Sequence, residues 1–186
     1  KVPFHYIHSF LGMFLVKKKF SIPSWFRIEY TTFFSRKEIL PSGDVFALDK
    51  NGYLRATEWR FTLDSFSEHF DKQSITVKNA KGEEISLSGY IGTGSTVTLE
   101  VNGNIIDSAR VCLAGDVNCN GALDVGDYIL IKRACMSTYT FSDIQNSAAD
   151  VYGNNGVDSA DYLMIKRYFF TPEKALFSDF MSYATE

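Results

Sequence analysis

Apolar positions in this chain follow two rhythms. Between Ser42 and Leu113 they come in short runs separated by turn residues, which predicts a small β-rich domain. Val45–Leu48 and Tyr53–Arg55 read as short strands around Asp49-Lys50-Asn51-Gly52, where Asn-Gly signals a hairpin. Thr62 is placed to cap a short helix whose apolar face is Leu63, Phe66 and Phe70. Ile75–Lys78 and Glu84–Leu87 are expected as strands flanking the turn Asn79-Ala80-Lys81-Gly82. Thr96–Val101 alternates polar and apolar residues and meets Ile105–Val111 across Asn102-Gly103-Asn104. Gly92-Thr93-Gly94 lacks both a following helix and a Gly-Lys-Ser/Thr ending, so it reads as a loop between strands and not as a phosphate cradle.

Past residue 113 the rhythm becomes helical. After Asp127, residues Ile129, Leu130, Ile131 and Met136 suit a buried face, and after Asp161 Leu163, Met164 and Ile165 do the same. The first forty residues differ again. Phe4, Tyr6, Phe10, Phe14, Phe20, Trp25, Phe26, Tyr30, Phe33 and Phe34 crowd them without clear periodicity. Buried aromatics mostly serve cores, so this stretch is expected to be the edge of an upstream domain sooner than a sugar-stacking surface.

The helical region holds an internal repeat. Asp116-Val117-Asn118-Cys119-Asn120-Gly121-Ala122-Leu123-Asp124-Val125-Gly126-Asp127 precedes Tyr128-Ile129-Leu130-Ile131-Lys132-Arg133. Asp150-Val151-Tyr152-Gly153-Asn154-Asn155-Gly156-Val157-Asp158-Ser159-Ala160-Asp161 precedes Tyr162-Leu163-Met164-Ile165-Lys166-Arg167, and the two copies align without a gap. Calcium takes six to eight oxygen ligands, and a twelve-residue loop supplies them from positions one, three, five, seven, nine and twelve. In the first copy these are Asp116, Asn118, Asn120, the carbonyl of Ala122, Asp124 and Asp127, with Gly121 at the sharp turn of position six. The second copy keeps Asp150, Asn154, the carbonyl of Gly156, Asp158 and Asp161. Tyr152 stands at position three, where its phenol is too long to fold back onto an ion. Asn155 replaces the glycine of position six, and Asn enters left-handed backbone more readily than most residues. Two Ca2+ sites are therefore expected, the second weaker.

Each loop runs into a helix, position twelve is Asp, and Val111-Cys112-Leu113-Ala114-Gly115 reads as a strand end and a turn with no room for an entering helix. This loop-then-helix pair resembles the type I dockerin module. The resemblance implies a compact all-helical unit of two EF-hand-like repeats that folds on calcium and docks to a cohesin of a scaffoldin or cell surface. It also implies that partner choice rests on Val125, Gly126, Lys132 and Arg133 in the first copy and on Ser159, Ala160, Lys166 and Arg167 in the second. Independently of it, Lys-Arg pairs at matched places form a basic patch suited to an acidic partner face. Tyr128 and Tyr162 read as packing residues. The β-rich stretch resembles the small modules that precede dockerins in secreted clostridial proteins.

The expected fold is thus α+β and multi-modular: 1–41 a piece of an upstream region, 42–113 a small β-rich module, 114–186 a dockerin with a C-terminal extension. The function this implies is anchorage of a secreted, extracellular protein within a cellulosome-type complex for polysaccharide degradation. The alternative is the C-terminal part of a glycoside hydrolase or another carbohydrate-active enzyme whose catalytic domain lies upstream. A chain that starts at Lys1 is expected to be processed or partial, with any secretion signal upstream. The apolar run Phe4–Val16 is shorter than the roughly 20 residues a membrane helix needs and its lysines follow it, so no span or signal is expected there.

Charge and chemistry narrow the classes further. A net charge of −3 with no basic stripe argues against nucleic-acid binding. Cys112, Cys119 and Cys135 have no C-x-x-C spacing, which leaves either one disulfide and a thiol or three thiols. No catalytic constellation is apparent. Of His5, His8 and His69, only His69 lies in a patterned segment, and Cys119 sits in the negative field of the first loop, which discourages a thiolate.

Overall fold

The structure is a computed structural model, and it describes residues 38, 39, 41, 42, 44–49, 51–70, 74–170 and 180. The chain divides into two units, Lys1–Arg36 and Lys37–Glu186, and every described residue belongs to the second. The aromatic-rich stretch and the run Phe4–Val16 lie outside the described residues.

Five strands form one sheet: β1 (Ala47–Leu48), β2 (Tyr53–Ala56), β3 (Ile75–Lys78), β4 (Thr96–Val101) and β5 (Asn104–Leu113). Their order is β1-β2-β5-β4-β3, with β2–β5 parallel and the other pairs antiparallel. Among the described residues it is accompanied by the helices α1 (Leu63–Ser67), continued by a 3-10 turn Glu68–Phe70, α2 (Val125–Cys135), α3 (Asp143–Ala149) and α4 (Ser159–Phe170). The architecture is α+β, as expected. No helix among the described residues is long and apolar enough to cross a membrane.

Local signals account for most of the strand part. Asp49 shapes the first hairpin, its Oδ1 accepting from the amides of Asn51 and Tyr53 at 2.9 Å each. The β4–β5 hairpin turns through Asn102 and Gly103 at φ of 52° and 77°, the left-handed pair that its sequence favours. Thr62 caps α1 by accepting from the Ser65 amide. Two expectations need correction. Glu84–Leu87 is not a strand: only a single Lys78–Glu84 bridge forms, and Leu87 is 72% exposed, so nothing apolar lies opposite to hold an alternating face. Pairing in β1 starts only at Ala47, because Phe46 is drawn into a ring cluster with Phe61 (4.8 Å) and Phe66 (5.0 Å). His69 packs its ring edge-on against Phe46 and Phe61, a core-lining role.

Two hydrophobic cores lie on opposite faces of the β2–β5 pair. Leu54, Ala56, Val111 and Leu113 point into the first, with Phe46, Phe61, Phe66, Phe70 and Val97. Cys112 and, half-buried, Tyr53 point into the second, with Val117, Leu123, Ile131, Ile144, Ala148, Val151, Ile165 and Phe180. Successive side chains of a strand face opposite ways, so one strand pair serves both cores. Arg55 faces the second core as well. Its Nε donates to Asp49 Oδ2 at 2.9 Å, its Nη2 donates to Ser147 Oγ of α3 at 2.9 Å, and its guanidinium lies 4.9 Å from the Phe180 ring centre. Trp59 packs against both cores and donates its indole N–H to the Ala114 carbonyl at 2.8 Å.

The helices correct one further expectation. Ile131 and Ile165 are fully buried where α2 meets α4, but Ile129, Met136 and Leu163 are 49%, 55% and 54% exposed. Residues two apart on a helix point about 200° apart, so a seam built on Ile131 turns Ile129 outward. The seam is completed by Tyr128 and Tyr162, which stack at 5.3 Å and share a 2.8 Å hydroxyl–hydroxyl hydrogen bond, as packing residues should. The segment Ser137–Ala149 holds helix α3, capped by Ser142 and Gln145, so the second loop is preceded by a helix although the first is not. Replacing Ile131 with Ala should cost about 2–5 kcal/mol in denaturant unfolding, whereas Ile129→Ala should change stability by less than about 0.5 kcal/mol. Equal losses would contradict the seam.

Candidate metal centre

The first loop leaves β5 through Gly115, at φ 75°, where a Cβ would strike Ile165 and Leu123 at 2.8 and 2.9 Å. Val117 and Leu123 anchor its inner side in the second core. Its polar side chains form one network. Asp116 is fully buried: Oδ1 accepts from the Asn120 amide at 3.0 Å, and Oδ2 accepts from the amides of Gly121 (3.2 Å) and Thr93 (2.8 Å). Asn118 Oδ1 accepts from that same Asn120 amide at 3.0 Å, and Asn120 Oδ1 accepts from Ala122 at 2.9 Å. Asp124 takes the Gly126 amide at 2.7 Å on Oδ1 and the Asn120 side-chain amide at 2.7 Å on Oδ2. Asp127 reaches back from the first turn of α2 to the amides of Val117 and Asn118 (2.9 Å each) and of Asp124 (2.9 Å). Positions one, three, five, nine and twelve are thereby tied together.

The second loop repeats this shape. Asp150 Oδ1 accepts from Gly153 (3.0 Å) and Asn154 (3.1 Å), Asp158 caps α4 through the Ala160 amide (2.6 Å), and Asp161 accepts from Tyr152 (2.9 Å) and Asp158 (2.8 Å). Asn154 Nδ2 donates to Asp158 at 2.9 Å. Position six is left-handed in both, Gly121 at φ 81° and Asn155 at 67°, and so is position four, Cys119 at 65° and Gly153 at 77°. Tyr152 gives the loop its amide while its side chain is 48% exposed. Gly121 is buried and Asn155 is exposed, which explains the one difference at position six. A Cβ on Gly121 would meet the Ile91 carbonyl at 2.7 Å, whereas the second loop leaves that place open to solvent.

The electrostatics are those of carboxylates that burial leaves short of positive charge. Burial pushes Asp127 up to about 7, with Asp116 and Asp124 adding to it against the pull of two amides. Burial likewise raises Asp161 to about 6 and raises Asp116. Asp124 and Asp158, at the exposed helix caps, are held below the usual range, the first by the Asn120 side-chain amide and the second by the Ala160 amide. Cys119 rises to about 11 through burial and then the Asp116 and Asp127 charges, so the loop thiol stays protonated. All three cysteines are free thiols. Among the described residues no three His, Cys, Asp or Glu side chains gather as a metal cluster by themselves. The donor set in each loop is all oxygen and includes Asn side chains, which fits a hard divalent cation and not zinc.

The residues expected to meet a partner lie apart from the loop interiors. Lys132, Arg133, Lys166, Arg167, Val125, Gly126 and Ser159 are exposed, and Ala160 is half-buried. Arg133 lies over the Tyr139 ring at 5.2 Å. Three contributors escaped the sequence reading: Thr93, whose amide holds Asp116; Gln145, whose side chain donates to the Val117 carbonyl at 2.7 Å; and Trp59. Gly92-Thr93-Gly94 held the available signal, two glycines in a segment without an evident turn.

Two loop-helix repeats, stacked helix against helix, define a module of calcium-loop type. Residues 114–170 match the family model of the dockerin type I domain, so the chain carries a type I dockerin domain there. Type I dockerin domains bind calcium, dockerin domains bind cohesins, and the module is non-catalytic. No curated protein matches the chain.

The raised carboxylates give a pH dependence with a definite sign. A folded-state pKa above the unfolded value of about 4 contributes stability below pH ~4 that is lost as pH rises through the folded pKa. For Asp127 and Asp161 the folded values are about 7 and about 6. In chelator, thermal unfolding should therefore move to lower temperature between about pH 5 and pH 8. Added calcium should oppose this drop, since the ion binds the deprotonated form. A melting temperature in chelator that rises over the same interval would contradict the burial of these groups.

Proposed function

We propose that this chain is the anchoring end of a secreted protein, docking it to a cohesin on a scaffoldin or cell surface within a polysaccharide-degrading complex. The match of residues 114–170 to the dockerin type I domain carries this reading. On it, residues 42–113 form an accessory β-rich module and 114–186 the dockerin with its extension. Calcium binds between Asp116, Asn118, Asn120, the Ala122 carbonyl, Asp124 and Asp127. A second, weaker site uses Asp150, Asn154, the Gly156 carbonyl, Asp158 and Asp161, with one ligand fewer because Tyr152 fills position three.

The partner face is the outer surface of α2 and α4. Lys132 and Arg133 recur as Lys166 and Arg167, all exposed. The outward apolar residues Ile129 and Met136 recur as Leu163 and Phe170, the last 76% exposed. An apolar centre with a basic rim supports a partner face that is apolar in the middle and acidic at its edge. Val125-Gly126 against Ser159-Ala160 makes the two halves of this face chemically unequal.

Calorimetric titration of calcium into chelator-stripped protein should show two events. Asp127→Ala should abolish the tighter and Asp161→Ala the weaker. Against a panel of cohesins, replacing Lys132 and Arg133 with Ala should slow association and flatten its salt dependence, since rim charges act mainly on encounter. Absence of both calcium binding and cohesin capture would withdraw the proposal.

A further inference from the structure

The segment Ile91–Ser95 is a loop, yet all five residues are buried. A buried loop must find a partner for each backbone group; the amides of Ile91, Gly94 and Ser95 find theirs within the β-rich part, and that of Thr93 finds its own in the dockerin domain. The Thr93 amide donates to Asp116 Oδ2 at 2.8 Å, the shortest hydrogen bond that carboxylate receives. Thr93 Oγ1 accepts from the Leu113 amide at 3.1 Å, just before the loop begins. Gly92 lies so close that a Cβ there would stand 2.3 Å from the Cys119 carbonyl oxygen and 2.9 Å from the Gly121 nitrogen. Gly121 answers from the other side, its own Cβ position 2.7 Å from the Ile91 carbonyl and 3.0 Å from the Tyr90 side chain. The Arg60 amide closes the contact on the Gly121 carbonyl at 2.7 Å. Two backbones thus meet at facing glycines, over positions one, four and six of the first loop.

Resting on the calcium reading above, we infer that residues 91–93 of the β-rich part are positioning residues of the first calcium site, so that one of the two sites is assembled jointly by both parts of the chain. Metal ligands gain affinity when outer groups hold them in the binding orientation. Asp116 receives such a group from outside the repeat, and the loop's sharp turn is fixed against Ile91. At the place that matches Gly121, the second loop has the exposed Asn155. The two sites then differ for a reason beyond Tyr152: the first is held in shape by the β-rich part. Removing the ion should also loosen residues 90–93.

The test compares the whole chain with its Gly92→Ala and Thr93→Val variants in calorimetric calcium titration, using Asp127→Ala and Asp161→Ala to assign the two events. Gly92→Ala should weaken the event lost in Asp127→Ala by about 10–100-fold and leave the other within about twofold. Unchanged affinity at the first site, or equal weakening of both, would overturn the inference. Thr93→Val removes the hydroxyl that takes the Leu113 amide and donates to the Leu113 carbonyl, the two bonds that hold the Thr93 amide against Asp116, so it should weaken the first event alone and decides the matter in the same way if Gly92→Ala does not fold. Should the native chain bind no calcium, the functional proposal fails while the clamp is still tested. In chelator, amides of 118–122 should then exchange faster in Gly92→Ala than in the native chain, with those of 152–156 unaltered. Unaltered exchange in both loops would remove the clamp.

Discussion

The parallel pairing of β2 with β5 is the contact on which the other features depend. Leu54 pairs with Val111 and Ala56 with Leu113 on one face, while Arg55 pairs with Cys112 on the other. The alternation that a strand imposes on its side chains makes this pair the floor of two cores at once. One floor carries the aromatic cluster around Phe66, and the other carries the seam of α2, α3 and α4. A slip of one residue would exchange the two faces and place Arg55 among the phenylalanines. The buried ion pair of Arg55 with Asp49, on either side of the first hairpin, resists that slip, since a guanidinium moved to an apolar face would lose its carboxylate.

From that floor the first loop inherits its shape. β5 ends at Leu113, and three residues later Asp116 is already buried, its charge met by amides from two different parts of the chain. Burying carboxylates is unfavourable without a cation, and burial raises the pKa of both Asp116 and Asp127. Hydrogen bonds from backbone amides hold the geometry but do not supply a full positive charge. A divalent ion would supply it, and in loops of this kind metal binding and folding are coupled.

The two repeats, identical at nine of their eighteen aligned positions, show how one pattern meets different surroundings. Val117 and Val151, Ile131 and Ile165 occupy equivalent places in the second core, and Tyr128 stacks on its equivalent Tyr162. What differs is the surroundings. Gly121 faces a neighbouring backbone and has no room for a side chain, whereas Asn155 faces water and needs only tolerance of a left-handed φ. The helix faces differ from a simple apolar count for a related reason. Only one narrow stripe on each helix meets its partner, and the remaining apolar residues, Ile129, Met136, Leu163 and Phe170, turn outward where a second protein can cover them.

By itself the sequence determined the local parts of this protein. The spacing of oxygen-bearing residues in the repeat, the hairpins at Asn-Gly and Asn102-Gly103, and the cap at Thr62 are set by chemistry within a few residues, so a single sequence suffices to read them. The type of each loop and the helix after it follow from the same short-range rules. Only the tertiary structure decided which apolar residues are core and which are surface, because that depends on what lies opposite. It alone decided that Glu84–Leu87 has no strand partner, that β2 runs beside β5, and that Gly92 and Thr93 meet Asp116 and Gly121. These contacts join residues some twenty to sixty positions apart, and no local pattern encodes a hydrogen bond between two segments that are neighbours only after both have folded.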